Sequence, residues 1–268
     1  MTTNTNLLRQ MARAGNWSAF LALANVTPGI NRSNGTGKRA NAQMADVPFD
    51  VWEGAPPFYS WPTGSEDLEI VSTSAEDSET GTGAQVVRIG GVDGDKFKST
   101  TVTMTGTTPV RLWEPLRQVN RIDVVRSGPL RKAAGKLTVR RVSDGVVGGI
   151  VEAGGWTSRQ PMMRVPADKH MLLLSVITNV SNVPAQVQTL DYTIELFTRP
   201  HMTSAPPLSV TVVPGTALVP PVSLDYPIPI TTLPAGVDFS LICTHLTANG
   251  PTIYASWTGL LLDPRFFE

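Results

Sequence analysis

The residues able to do chemistry are few and scattered. Cys243 and His245 stand two apart in an apparent strand, a spacing that puts both on one face, and a thiolate with an imidazole is half of a zinc site. His170 and His201 are isolated in sequence, so the expectation is a buried free cysteine beside an incidental histidine. Asp93-Gly94-Asp95 and the acid pairs Glu66-Asp67 and Glu76-Asp77 offer loop oxygens of the kind that hold calcium. The calcium-loop pattern is absent, and the expectation is a solvated acidic face or a contact with a basic neighbour. Gly37-Lys38 is not a phosphate loop, because Arg32 and Arg39 stand where a glycine and a hydroxyl residue are needed. Gly81-Thr82-Gly83 opens no helix whose N-terminus would receive a phosphate. With three histidines, no G-x-S-x-G and no carboxylate pair singled out, the chain is expected not to be an enzyme and to use neither metal nor cofactor.

The residues best suited to contact are aromatic and basic. Phe49–Trp61 (FDVWEGAPPFYSW) gathers Phe49, Trp52, Phe58, Tyr59 and Trp61 around Pro56-Pro57. Rigid prolines and aromatic rings bury large areas at small entropic cost, so this stretch suits a packing hub, an interface or a sugar-stacking surface. Upstream, Leu7, Leu8 and Met11 fall at helical spacing and Trp17 and Phe20 form a second apolar cluster, which predicts short helices over 5–14 and 16–24. Asn31–Ala42 (NRSNGTGKRANA) is polar, acid-free and carries Arg32, Lys38 and Arg39, and reads as an extended or flexible strap. Residues 1–45 are therefore expected to be a partly helical arm that packs on its own body or embraces a neighbour.

From residue 68 the elements that must position these groups are strands. Leu68–Ser74, Ala84–Val92, Ser99–Thr105, Val119–Arg126, Lys136–Val142 and Val146–Val151 are short runs rich in Val, Ile and Thr, separated by glycine and proline turns. Met171–Val180, Gln188–Thr198, Leu208–Val213, Val222–Ile230, Val237–Leu246 and Ile253–Leu262 continue the pattern, while the Pro-rich 160–170 and 213–233 read as loops or edge strands. About twelve strands at this spacing predict a mainly β protein with an antiparallel sandwich or jelly-roll body. The expected organisation is an arm (1–45), an N-terminal β unit with the aromatic hub (46–155) and a C-terminal β-sandwich (156–268).

Composition narrows the partners. The 268 residues carry 22 basic and 22 acidic side chains, and charged residues make up only 16%. A neutral total argues against direct nucleic-acid binding. No apolar window reaches the length of a membrane span, no signal peptide is recognisable at the N-terminus, and a single cysteine fits synthesis in a reducing cytoplasm. The neutrality hides zones of +5 (1–45), −10 (46–95), +9 (96–141) and −4 (142–268). Such blocks neutralise one another either within a subunit or between copies.

The ordered series Val51-Trp-Glu-Gly54, Tyr59-Ser-Trp-Pro-Thr-Gly64, Leu68-Glu-Ile-Val-Ser-Thr-Ser-Ala-Glu-Asp77, Thr80-Gly-Thr-Gly-Ala84 and Gly91-Val-Asp-Gly94 resembles a family of tailed-bacteriophage virion structural proteins. Thr101-Val-Thr-Met-Thr-Gly-Thr-Thr108, Val119-Asn-Arg-Ile122 and Gly135-Lys-Leu-Thr-Val139 extend the similarity, which spans roughly residues 51–262. The resemblance implies a β-rich, non-enzymatic particle component made in the bacterial cytoplasm and located in the virion. The expected function is capsid decoration or cement anchored through the arm, with a tail fibre, adaptor or receptor-binding role as the alternative, and a polysaccharide-degrading tail component further off. The implied partners are capsid or tail proteins, further copies of the chain (a trimer by the habit of such proteins) and a host-surface glycan. The expected contact residues are Leu7, Leu8, Met11, Trp17, Phe20, Arg32, Lys38, Arg39, Trp52, Phe58, Tyr59 and Trp61.

Overall fold

Short β-branched runs with one apolar face must pair edge to edge and then bury that face. In the computed structural model, which describes residues 30–54, 58–94, 96–184, 187, 190–199, 208–216, 223–225 and 231–264, the protein is mainly β and the strand pairs are antiparallel. Strand β1 (Ile30–Arg39) leads through a 3-10 turn (Met44–Asp46) into β2 (Phe49–Asp50). The middle of the chain forms β3 (Leu68–Ser72), β4 (Ala84–Asp93), β5 (Lys96–Thr103), β6 (Val110–Arg111), β7 (Gln118–Ser127), β8 (Leu137–Arg141) and β9 (Val147–Val151). Next come β10 (Met163–Arg164), β11 (His170–Ser181), β12 (Asp191–Arg199) and β13 (Leu208–Thr216). Then β14 (Ser223–Asp225), β15 (Thr231–Leu233), β16 (Asp238–Leu246) and β17 (Thr252–Leu262) complete the order.

Four sheets build two principal apolar cores. One sheet runs β1-β17-β11-β14, with β15 also on β11, and a second runs β10-β16-β12-β13, with β2 on β16. Both contribute to a core that includes Met171, Leu173, Val176, Ile194, Leu241, Ala255 and Trp257. The sheets β6-β3-β8-β9 and β5-β4-β7 supply the other, around Ile70, Val87, Ile89, Ile122, Leu137 and Val139. Phe49 and Val51 pack in the core of the C-terminal strands. Trp52, Tyr59 and Met162, with half-buried Trp61 and Val147, form a third cluster.

Two expectations are corrected here. The segment 31–42, expected as a strap, lies mostly in β1, which pairs residue for residue with β17 from Ile30↔Leu262 to Arg39↔Ile253. Its side chains show little apolar alternation, so the strand is imposed by β17's open hydrogen-bonding edge and not by local propensity. The expected helices and Leu7, Leu8, Met11, Trp17 and Phe20 lie outside the described residues, and no α-helix occurs among the described residues. No helix of the described residues is long and apolar enough to cross a membrane.

The acid pair Glu76-Asp77 is the second correction, because Asp77 is neither solvated nor free for calcium. Its Oδ1 accepts the backbone N–H of Ala84 (2.6 Å) and Ala134 (2.8 Å), and its Oδ2 accepts Gly135 N–H (2.8 Å) and the Ser72 hydroxyl (2.6 Å). The fully buried carboxylate thereby ties the β3–β4 turn to the segment entering β8. A side chain on Gly83 would start 2.2 Å from Asp77 Oδ1, so a glycine is required beside it. Buried polar groups must be paired, and charge-assisted bonds are the strong ones. Asp77→Asn turns an amide NH2 toward N–H donors and is expected to cost about 3 kcal/mol or more in urea unfolding; a loss below about 1 kcal/mol would show that the carboxylate is dispensable.

Candidate functional site

Of the expected contact residues, Lys38 and Arg39 come together with the 46–54 loop where β1 crosses it. Lys38 meets Glu53 at 3.5 Å; Arg39 meets Asp46 at 3.4 Å and donates to the Gly54 carbonyl at 2.8 Å, with its guanidinium 5.6 Å from the Phe49 ring. Burial raises the Glu53 carboxyl above its ordinary range against the opposing pull of Lys38. Gly37 lets the strand pass under the loop: a side chain there would start 1.9 Å from the Val51 carbonyl oxygen. The basic end of the strap therefore clamps the 46–54 loop of its own subunit.

The aromatic segment behaves as a packing hub. Trp52 and Tyr59 are 1% and 3% exposed, which corrects their assignment as contacts for a neighbour. Their rings meet edge to face at 5.3 Å, Tyr59 meets Trp61 at 5.1 Å in the same way, and the Tyr59 N–H donates to Asp50 Oδ2 at 2.7 Å. Phe58 remains exposed and Trp61 half-buried. Cys243 and His245 do not share a face. The pairing of β12 with β16 shifts register between Thr193 and Ile194, so a β-bulge at Thr244 breaks the two-residue period. Cys243 is buried, its thiol pushed up to about 12 by desolvation, while His245 is exposed. Asp93, the third calcium candidate, accepts from Ser65 and pairs with Lys98 at 2.8 Å. Among the described residues no group of three or more His, Cys, Asp or Glu converges as a metal site.

The charge zones meet inside the subunit. Antiparallel pairing sets Glu69 opposite Arg140, and their side chains bond at 2.8 Å; Arg141 reaches Glu66 at 3.4 Å and Asp144 at 2.9 Å. Lys98 bridges Asp93 and Glu114, and Asp123 takes both Arg121 and Arg88. Burial opposes ionisation of Asp123, but hydrogen bonds from Arg121 and Arg88 prevail and hold its carboxyl below the ordinary value. Each such partly exposed pair contributes at most about 1 kcal/mol, so their effect is neutralisation more than stability. The buried Arg164–Asp238 pair, 2.7 Å apart and in register across β10 and β16, is the exception. Nothing in the local pattern of Met163-Arg164 marks it.

Sequence reasoning missed a cleft of about 370 Å³ between β1 and the β5-β4-β7 sheet, with a narrower extension of about 100 Å³. The side chain of Arg32, the one expected residue on its wall, forms no ion pair or hydrogen bond among the described residues. The double glycine Gly90-Gly91 inside a strand was the available signal, since such glycines mark a bulge or a close approach. The hub yields a test of its own. The Tyr59 hydroxyl is buried with no hydrogen-bond partner, and burial raises it well above its ordinary range. Tyr59→Phe removes an unsatisfied group without opening a cavity and is expected to leave stability unchanged or raise it by up to about 1 kcal/mol. A loss of about 2 kcal/mol in thermal or urea unfolding would reveal a bond to the hydroxyl.

No family model and no curated protein matches the chain. Solved structures similar to it include infectious bursal disease virus of the Gt strain (8% identity, TM-score 0.19, 88% of this chain and 72% of that chain). T=1 particles derived from infectious bursal virus are similar at the same level (8% identity, TM-score 0.20, 88% of this chain and 70% of that chain). Scores this low carry no argument about fold or function.

Proposed function

We propose that the chain is a non-enzymatic structural subunit of a bacteriophage particle that decorates or cements the capsid, its body a pair of packed β-sandwiches. The ordered motifs of residues 51–139 that resemble virion structural proteins motivate the reading. The structural observation carrying it is the exposure of large apolar side chains, with Trp113 89% and Trp156 56% exposed and Leu130 and Val125 exposed as well. Apolar groups of this size outside the core mark contact surfaces in assembled proteins. Part of each charge block is engaged within the subunit, and in this reading contacts between subunits rest on apolar area. Residues 1–29 precede a strand at the rim of a sheet, a place from which a segment can reach a neighbouring protein.

Deleting residues 1–29, and not β1, is expected to abolish incorporation into particles while circular dichroism and the unfolding midpoint of the body stay unchanged. Full incorporation of the shortened chain would remove the arm's anchoring role. Imaging of the virion is expected to place the protein on the shell; density around the tail would overturn the decoration reading. Attachment is expected to change less than about twofold between 0.1 and 1 M salt, because screening acts on exposed charges and spares apolar contacts. Release at high salt would mean that charge holds the subunits together.

A further inference from the structure

The cleft beside β1 has a geometry of its own. Five consecutive residues, Arg32 to Thr36, line it and its extension. Side chains of a strand alternate between faces, so an unbroken run can line a cleft only where the cleft follows the strand's edge. That edge is open: among the described residues β1 pairs with β17 alone, at the end of its sheet. Its outward N–H and C=O groups form a template for another strand.

The facing wall is a trough in the three-stranded sheet. The register aligns Ser99, Gly90 and Arg121 in one rung across β5, β4 and β7, and the central glycine leaves the rung without a side chain in its middle. A Cβ added at Gly90 meets nothing nearer than the Arg121 carbonyl oxygen at 3.9 Å, whereas one at Gly91 would start 2.2 Å from the Gln118 carbonyl oxygen. Gly90 faces open space and Gly91 a close backbone approach. Between these rungs β7 bulges: Gly90 pairs with Arg121 and Gly91 with Val119, which leaves Asn120 as the extra residue. A bulge re-aims a side chain, and Asn120 lines both the cleft and its extension. Its Oδ1 and Nδ2 are both buried without a hydrogen-bond partner.

The charges favour an acidic occupant. Arg32, Lys98 and Arg121 line the cleft and no acidic residue does, among the described residues. Lys98 is held by Asp93 and Glu114 and Arg121 by Asp123, so Arg32 is the cation of the lining without an acidic partner among the described residues. A second copy of β1 fits poorly, since each strand carries Arg32, Lys38 and Arg39 and no acid, so a pair of them gathers six bases with no complementary charge. Residues 1–29 of the chain carry Arg9 and Arg13 and no acid, so they lack the complementary charge. We infer that the free edge of β1 and the trough facing it form a docking groove for an extended acidic peptide segment of another protein. The segment adds a strand to β1, lies over the empty Gly90 rung and sets carboxylates toward Arg32. This inference does not depend on the particle reading.

The test is fluorescence anisotropy of the full chain with a labelled decapeptide of alternating Val and Glu. Two versions N-methylated at alternate residues, one in each frame, remove the N–H donors of one edge or the other. The parent peptide is expected to bind saturably and one N-methylated frame to bind at least about tenfold more weakly, as loss of main-chain bonding requires. Gly90→Leu is expected to weaken binding by about tenfold with an unchanged unfolding midpoint, and Arg32→Gln by a few-fold with a shallower salt dependence. Equal binding of both N-methylated frames, or unchanged affinity in both protein variants, overturns the inference. So does the absence of saturable binding up to millimolar peptide, or saturable binding of a polygalacturonate fragment in place of the peptide.

Discussion

The ladder between β1 and β17 is the constraint on which the rest of the molecule depends. Its ten-residue register carries the N-terminal segment along the end of a sheet built otherwise from strands of residues 170–262. One end of β1 then delivers Lys38 and Arg39 to the loop that holds Phe49 in one core and Trp52 in the small aromatic cluster. The other end leaves Arg32 at the mouth of the cleft. A strand so poor in apolar side chains holds its place through main-chain bonds and two glycines that permit close approach. Gly35 lies against the Trp257 ring and Gly37 under the Val51 carbonyl.

Two kinds of interaction divide the remaining work. Apolar burial builds the cores and accounts for most of the stability, as expected for sheets that cover one another. Buried polar groups then specify how the pieces join: Asp77 gathers the β3–β4 turn and the entry to β8, Arg164 and Asp238 lock β10 to β16, and the Trp257 indole donates to the Pro161 carbonyl at 2.8 Å. Removing one member of such a set leaves an unpaired buried group, so the joints tolerate less change than the cores around them. The surface ion pairs do something different. They bring opposed blocks of the chain to neutrality locally and leave apolar side chains as the contrasting surface features.

Eleven of the twelve strands expected from residue 68 onward are present near their expected bounds, from Leu68–Ser72 to Thr252–Leu262, while of the expected 222–230 only Ser223–Asp225 is a strand and the rest lies outside the described residues. The two-residue strands, β2, β6 and β10, went unseen because two residues carry no period. The strap was legible as polar and basic but not as a strand. Cys243 and His245 illustrate the converse failure, where a regular spacing was visible but one bulged residue turned the two side chains apart. Arg32, Lys38 and Arg39 were legible as the basic residues near the site, and Asn120 and Gly90 were not, because a bulge and an empty rung exist only once strands are in register.

The sequence by itself determined the mainly β character, the strand-and-turn order and the opposed charge zones, because each is written in side-chain type and short-range spacing. Only the tertiary structure decided that members of opposed zones pair within the subunit, that Asp77 faces inward, that the aromatic segment is an internal hub and that β1 leaves an edge beside a cleft. Those outcomes depend on which strands lie side by side, and pairings such as Ile30 with Leu262 join residues more than two hundred positions apart. Register across such distances is settled by the collective fit of main-chain ladders and buried faces, for which no local pattern is a sufficient cause.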